Sequence, residues 1–159
     1  GAYGLMQVMP LTGERFGIDI KASPSYNVRA GIMNIKWLTA MFESKIPDEG
    51  ERMKFILASY NAGPGHVLDA MKLAEKNGMD PTKWEGNVAV WLLKKSNPVY
   101  YNDEVVKNGY FRGTESVNYV SEVLDRYDHY RNLITGENVN RLTMNMGQVG
   151  RDRDILTAD

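Results

Sequence analysis

Apolar residues recur at helical spacing along nearly the whole chain. Val28, Ile32, Ile35, Leu38 and Phe42 follow at steps of four, three, three and four, one face of a helix. Met33, Trp37 and Met41 make a second stripe, so this helix is expected to be buried on two sides. Pro47-Asp48 looks like the start of the next helix, which runs to Tyr60. Pro64 can open a third, with Val67, Ala70, Met71 and Ala74 inward and Asn77-Gly78 as its stop. Trp84 to Lys94 is a shorter helical stretch. Thr114 is a fitting N-cap for a last long helix to Ile134, with Val117, Val120, Leu124 and Tyr127 as its stripe. The one strand-like stretch, Tyr3 to Val8, is short. The pattern therefore predicts an all-α (mainly α) domain with at most a very short β segment.

Two stretches lack this periodicity. Ser96 to Gly113 is rich in Asn, Pro, Gly and Tyr, and loops of that length in compact domains are usually functional or disordered. Its tyrosines, Tyr100, Tyr101 and Tyr110, favour an ordered loop. Residues 135–159 are polar with weak periodicity and read as a tail or linker, which leaves residues 1–134 as the domain.

Composition narrows the chemistry. The 159 residues suit one domain, and 43% apolar with 25% charged residues is ordinary globular usage. A net charge of −1 gives no bulk field to attract nucleic acid. The absence of cysteine excludes disulfides, thiolate zinc sites and a thiol nucleophile. No metal-ligand cluster stands out: His66 and His129 are far apart and read as surface or capping histidines. No apolar run approaches the ~20 residues a membrane helix needs. The chain opens on Gly1-Ala2-Tyr3-Gly4 with no initiator Met, so a fragment of something longer is expected.

Two stretches resist a purely structural reading. In "GAYGLMQVMP", residues 1–10, Gln7 stands alone among apolar neighbours. A buried glutamine must have its amide satisfied, so it either serves the fold or faces a ligand. In "ASYNAGPG", residues 58–65, glycine and proline suffice to end the helix, yet Tyr60 and Asn61 bring a phenol and an amide to its terminus.

Residues 1–10 resemble the "GAxGLMQxMP" motif of the lytic transglycosylases related to goose-type lysozyme (the SLT domain). Residues 58–65 resemble their "AYNAGPG" motif, with Ser59 where alanine is usual. Arg112-Gly113-Thr114-Glu115 followed by Tyr119-Val120 resembles the last family motif, and the tyrosine-rich loop before it is similar to the membrane-bound murein transglycosylase F type. The three motifs stand in order with helical spacing between them, over residues 1 to about 134.

The resemblance implies a lysozyme-like helical fold and a groove for peptidoglycan glycan strands. Gln7 and Met9 would contact the sugar subsites, Tyr60 and Asn61 would sit near the catalytic acid, and Tyr119 would close the cleft. Tyr60 would be a supporting catalytic group. Glu115, one turn before Tyr119, would orient that tyrosine at the substrate or cap the helix start. No cofactor and no metal are implied.

The family's acid is a glutamate in a Glu-Ser pair just upstream of the "GAxG" motif. It protonates the glycosidic oxygen between N-acetylmuramic acid and N-acetylglucosamine. It then helps the muramyl C6 hydroxyl to attack, giving a 1,6-anhydro sugar, so the usual second carboxylate is not needed. That glutamate and its helix are not in this sequence, and residues 1–159 alone are expected to be inactive. Glu14, Asp19, Glu43 and Glu85 lie in no family motif. A lysozyme-type hydrolase and a non-catalytic glycan-binding module are the alternatives. The implied setting is the periplasm or cell envelope, with a monomeric domain in a parent protein anchored to the membrane.

Overall fold

We describe a computed structural model that covers the backbone of residues 1–155 and the side chains of residues 1–136. It is all-α, as the spacing predicts. The helices are α1 (Pro10–Arg15), α2 (Pro24–Glu43), α3 (Glu49–Ala62), α4 (Pro64–Lys76), α5 (Ala89–Lys94), α6 (Pro98–Tyr101) and α7 (Thr114–Ile155). Residues Gly1–Val120 form one compact unit and Ser121–Asp159 a second.

Local chemistry sets most boundaries. Ser23 and Asp48 cap α2 and α3 by accepting the Tyr26 and Glu51 amides. Helix α3 runs to Ala62 and stops because Gly63 takes φ +85°, a region that suits glycine. Pro64 then opens α4.

The main core lies where α3 packs against α2 and α4, and α4 against α5. Phe42 and Phe55 meet with ring centroids 5.9 Å apart, and Phe55 meets Trp84 edge-on at 5.4 Å. Leu38, Leu73, Val88 and Leu92 are fully buried as well. A second cluster of Val8, Ile18, Ile20 and Ala30 sits under the N-terminal segment.

Four expectations are corrected. The buried face of α2 carries Asn27, Ala30, Gly31, Leu38 and Phe42, whereas Ile32 and Ile35 are exposed. The reason is close approach: Met6 packs directly on Gly31, which turns the small residues inward. Trp84 to Lys94 is a wide turn, Trp84–Val88, followed by α5, because Glu85 and Gly86 leave helical geometry. In α7, Val120 is buried but Tyr127 is exposed. His66 is neither superficial nor a cap, since its ring stacks on Phe111 at 4.2 Å.

The tyrosine-rich loop is ordered and holds α6. Helix α7 runs on through the polar stretch as far as Ile155, and residues 156–159 lie outside the described residues. Among the described residues the β structure is one antiparallel bridge, Tyr3 with Val8.

Candidate glycan-binding groove

The groove begins at that bridge. Tyr3 and Val8 exchange two backbone hydrogen bonds of 3.0 Å, and Gln7 N–H donates to the Gly4 carbonyl to close the turn between them. Asn27, reaching up from α2, braces it: its Oδ1 accepts from Met6 N–H at 2.9 Å and its Nδ2 donates to the Tyr3 carbonyl at 2.8 Å. Gly4 has φ +75°, and a Cβ there would fall on the Asn27 amide. Gln7 itself takes φ +47°, a conformation that costs a non-glycine residue about 1–2 kcal/mol. Its Nε2 donates to Gly4 O at 2.8 Å. Gln7 is exposed and not buried among its apolar neighbours, so its Oε1 and second amide hydrogen face outward.

The second wall is the end of α3. The Tyr60 hydroxyl donates to the Met6 carbonyl at 2.7 Å. Burial pushes the Tyr60 phenol above its ordinary range, and the Tyr119 phenol nearby adds to the shift. Asn61 Oδ1 accepts from the Ser116 hydroxyl at 2.6 Å, which fixes which face of the amide points outward. The first turns of α7 supply the third wall, with Glu115 and Tyr119.

Together these walls enclose an open groove of about 520 Å³ lined by Ala2, Leu5, Met6, Gln7, Met9, Tyr60, Asn61, Glu115 and Tyr119. All six sequence-predicted positions, Gln7, Met9, Tyr60, Asn61, Glu115 and Tyr119, therefore lie on one groove. Of Glu14, Asp19, Glu43 and Glu85, none lines it. Among the described residues no cluster of His, Asp and Glu could hold a metal ion.

Sequence reasoning missed three supports. Asn27 and Ser116 are buried and act through Met6 and Asn61. The chain also holds a Glu-Ser pair of its own, Glu115-Ser116, at the third wall, with its serine turned inward. The third miss is a buried ion pair, Asp69 with Lys95, at 2.7 Å. A polar residue inside the otherwise apolar face of α4 was the available signal for Asp69.

An all-α domain with a polar-and-apolar groove at a Tyr-Asn helix end belongs to a defined class. The transglycosylase SLT domain model matches residues 1–82, more than half of the chain, and the chain belongs to that family. Among its relatives are three proteins named membrane-bound lytic murein transglycosylase F. The one from Desulfosudis oleivorans is 39% identical over 128 residues, which is 80% of this chain and 27% of the relative. That from Shewanella pealeana is 37% identical, covering 80% of this chain and 26% of the relative. That from Maricaulis maris is 34% identical, covering 87% and 29%. The chain thus spans about a quarter of the length of the curated relatives it matches.

Proposed function

We propose that residues 1–134 are the glycan-binding part of a peptidoglycan lytic transglycosylase that cleaves the N-acetylmuramic acid–N-acetylglucosamine bond and leaves a 1,6-anhydro end. The observation that carries this reading is the convergence of groups from three separate segments on one groove. Met9 and Leu5 present exposed apolar surface for the face of a sugar ring. The Gln7 amide has a free oxygen and a free N–H for an acetamide, and Asn61 keeps its Nδ2. Tyr60 has spent its proton on Met6, so its oxygen remains as an acceptor for a sugar hydroxyl and its ring packs the floor. Glu115 and Tyr119 accept and donate from the opposite wall.

The proton donor is proposed to be a glutamate of the parent protein outside residues 1–159, with Tyr60 and Asn61 beside it. Residues 135–159 are proposed to be a polar C-terminal tail to that domain. The parent is proposed to act as a monomer in the cell envelope, held to a membrane by other parts. No helix among the described residues is long and apolar enough to cross a membrane.

Product analysis tests the reaction. The parent protein, incubated with purified sacculi, should release muropeptides with anhydro ends, one water lighter than reducing ends by mass spectrometry. Reducing ends alone would make it a lysozyme-type hydrolase. No release would make it a binding module.

A further inference from the structure

Behind the third wall lies a network that the groove itself does not use. Lys95, at the end of α5, is fully buried, and Asp69 on α4 is 2% exposed. Lys95 Nζ lies 2.7 Å from Asp69 Oδ2 and 3.1 Å from His66 Nδ1. The Asp69 carboxylate also accepts Lys107 N–H at 3.0 Å, Asn108 N–H at 2.9 Å and the Asn108 side-chain amide at 3.0 Å. One carboxylate thus collects four donors, three of them from the loop that leads into α7.

The same network holds the far end of that loop. Phe111 N–H donates to the Lys95 carbonyl at 3.3 Å, and the Phe111 ring stacks on His66. Gly113 then passes so close to the Leu92 carbonyl that a Cβ would collide with backbone. Helix α7 starts at the next residue, Ser116 reaches Asn61, and Tyr119 enters the groove. A buried ion pair is poor evidence of added stability, because desolvation cancels much of its attraction. Its value here is geometric: it fixes the middle of the loop at residues 107–108 and the far end at Phe111, while Lys76 holds Asp103 and Glu104 at the start.

We propose that Asp69 is a positioning residue for the glycan groove: its carboxylate, balanced by Lys95, anchors loop 103–113 and thereby sets the register of Ser116 and Tyr119 against Asn61 and Tyr60. The proposal rests on the groove being the glycan site. Loss of the loop anchor costs the groove its third wall, and the loss equals one or two neutral hydrogen bonds to sugar, roughly three- to thirtyfold in affinity.

The test uses residues 1–159 and three variants: Asp69→Asn, Lys95→Met and the double variant. Lys95→Met keeps the carboxylate and its loop donors but strands a buried charge. Asp69→Asn replaces one acceptor oxygen by an NH₂ that faces a loop donor, Lys107 N–H or the Asn108 donors, whichever way the amide turns. The double variant removes both charges, so it regains thermal stability relative to either single variant but not the anchor. Two readouts are taken well below each unfolding midpoint: amide hydrogen exchange of residues 114–120 without ligand, and binding of N-acetylglucosamine tetramer by NMR. The proposal expects faster exchange over 114–120 and weaker sugar binding in Asp69→Asn and in the double variant, with Lys95→Met closer to the parent chain in both. Exchange and binding that recover together with stability in the double variant would overturn it. If the unsubstituted chain binds no sugar, the glycan reading fails, while the exchange data still decide whether Asp69 sets the wall.

Discussion

The Tyr60 hydroxyl donates to the Met6 carbonyl across 54 positions of sequence, and this bond ties the N-terminal turn to the end of α3. It accounts for a tyrosine at a helix end that Gly63 and Pro64 would terminate without it. Tyr60→Phe keeps the ring and removes the bond, leaving Met6 O without that donor. The expected cost is about 1 kcal/mol in chemical denaturation, with faster amide exchange in residues 3–8. Unchanged exchange there would show that the turn stands without Tyr60.

Asn27 carries more, because it satisfies two backbone groups of the turn at once. Asn27→Ala leaves Met6 N–H unpaired and removes one of the two donors to Tyr3 O, which keeps Val8 N–H. We expect about 2–4 kcal/mol of destabilisation by urea denaturation, from one orphaned group at about 1–3 kcal/mol and one lost hydrogen bond at about 0.5–1.5 kcal/mol. A loss under 0.5 kcal/mol, roughly the level of an ordinary surface change, would mean the brace is dispensable.

How much of this was legible in the sequence follows from where each partner lies. The end of α3 and the start of α4 could be read locally, since Gly63-Pro64 stops one helix and opens the next. The Asp48 cap was equally local. The groove positions were legible through motif resemblance, which brings together segments that spacing alone leaves apart. The buried face of α2 was not, because the close approach of Met6 to Gly31 depends on a turn far upstream. Asp69 and Lys95 were illegible as a pair for the same reason: they lie 26 positions apart, and although Asp69 stands among the apolar residues of α4, nothing local names Lys95 as its partner.

The same pair predicts an acid-sensitive fold. Burial lowers the His66 pKa below its ordinary 6.5, and the Lys95 charge lowers it further, against a smaller opposing effect of Asp69. The unfolded chain therefore binds this proton first, and stability falls as pH drops from 6.5 to the lower folded value. Burial acts to raise the Asp69 pKa, but Lys95 and the loop donors outweigh it and hold it below 3.8. Its contribution is present above 3.8 and lost as pH falls through the folded value. Thermal midpoints between pH 7 and 5 should decline, and His66→Phe should flatten that limb. A limb that persists unchanged in His66→Phe would assign it to other groups.

Residues 1–159 alone should release no anhydromuropeptides from sacculi. General acid catalysis contributes on the order of 10²–10⁴-fold, and the groove offers Glu115 as its carboxylate, on the exposed rim. Release by this chain, abolished in Glu115→Gln, would place the acid at Glu115 and reverse that assignment.

The central claim is that this groove binds glycan, and an NMR titration of the folded chain with N-acetylglucosamine tetramer tests it most directly. A few neutral hydrogen bonds and an apolar ring face suit weak binding, about 10⁻⁴–10⁻³ M. The account predicts amide shifts clustered at Gln7, Tyr60, Asn61 and Tyr119, and weaker shifts in Tyr60→Ala. A chain with dispersed, folded signals in which saturating sugar moves none of those four would contradict it.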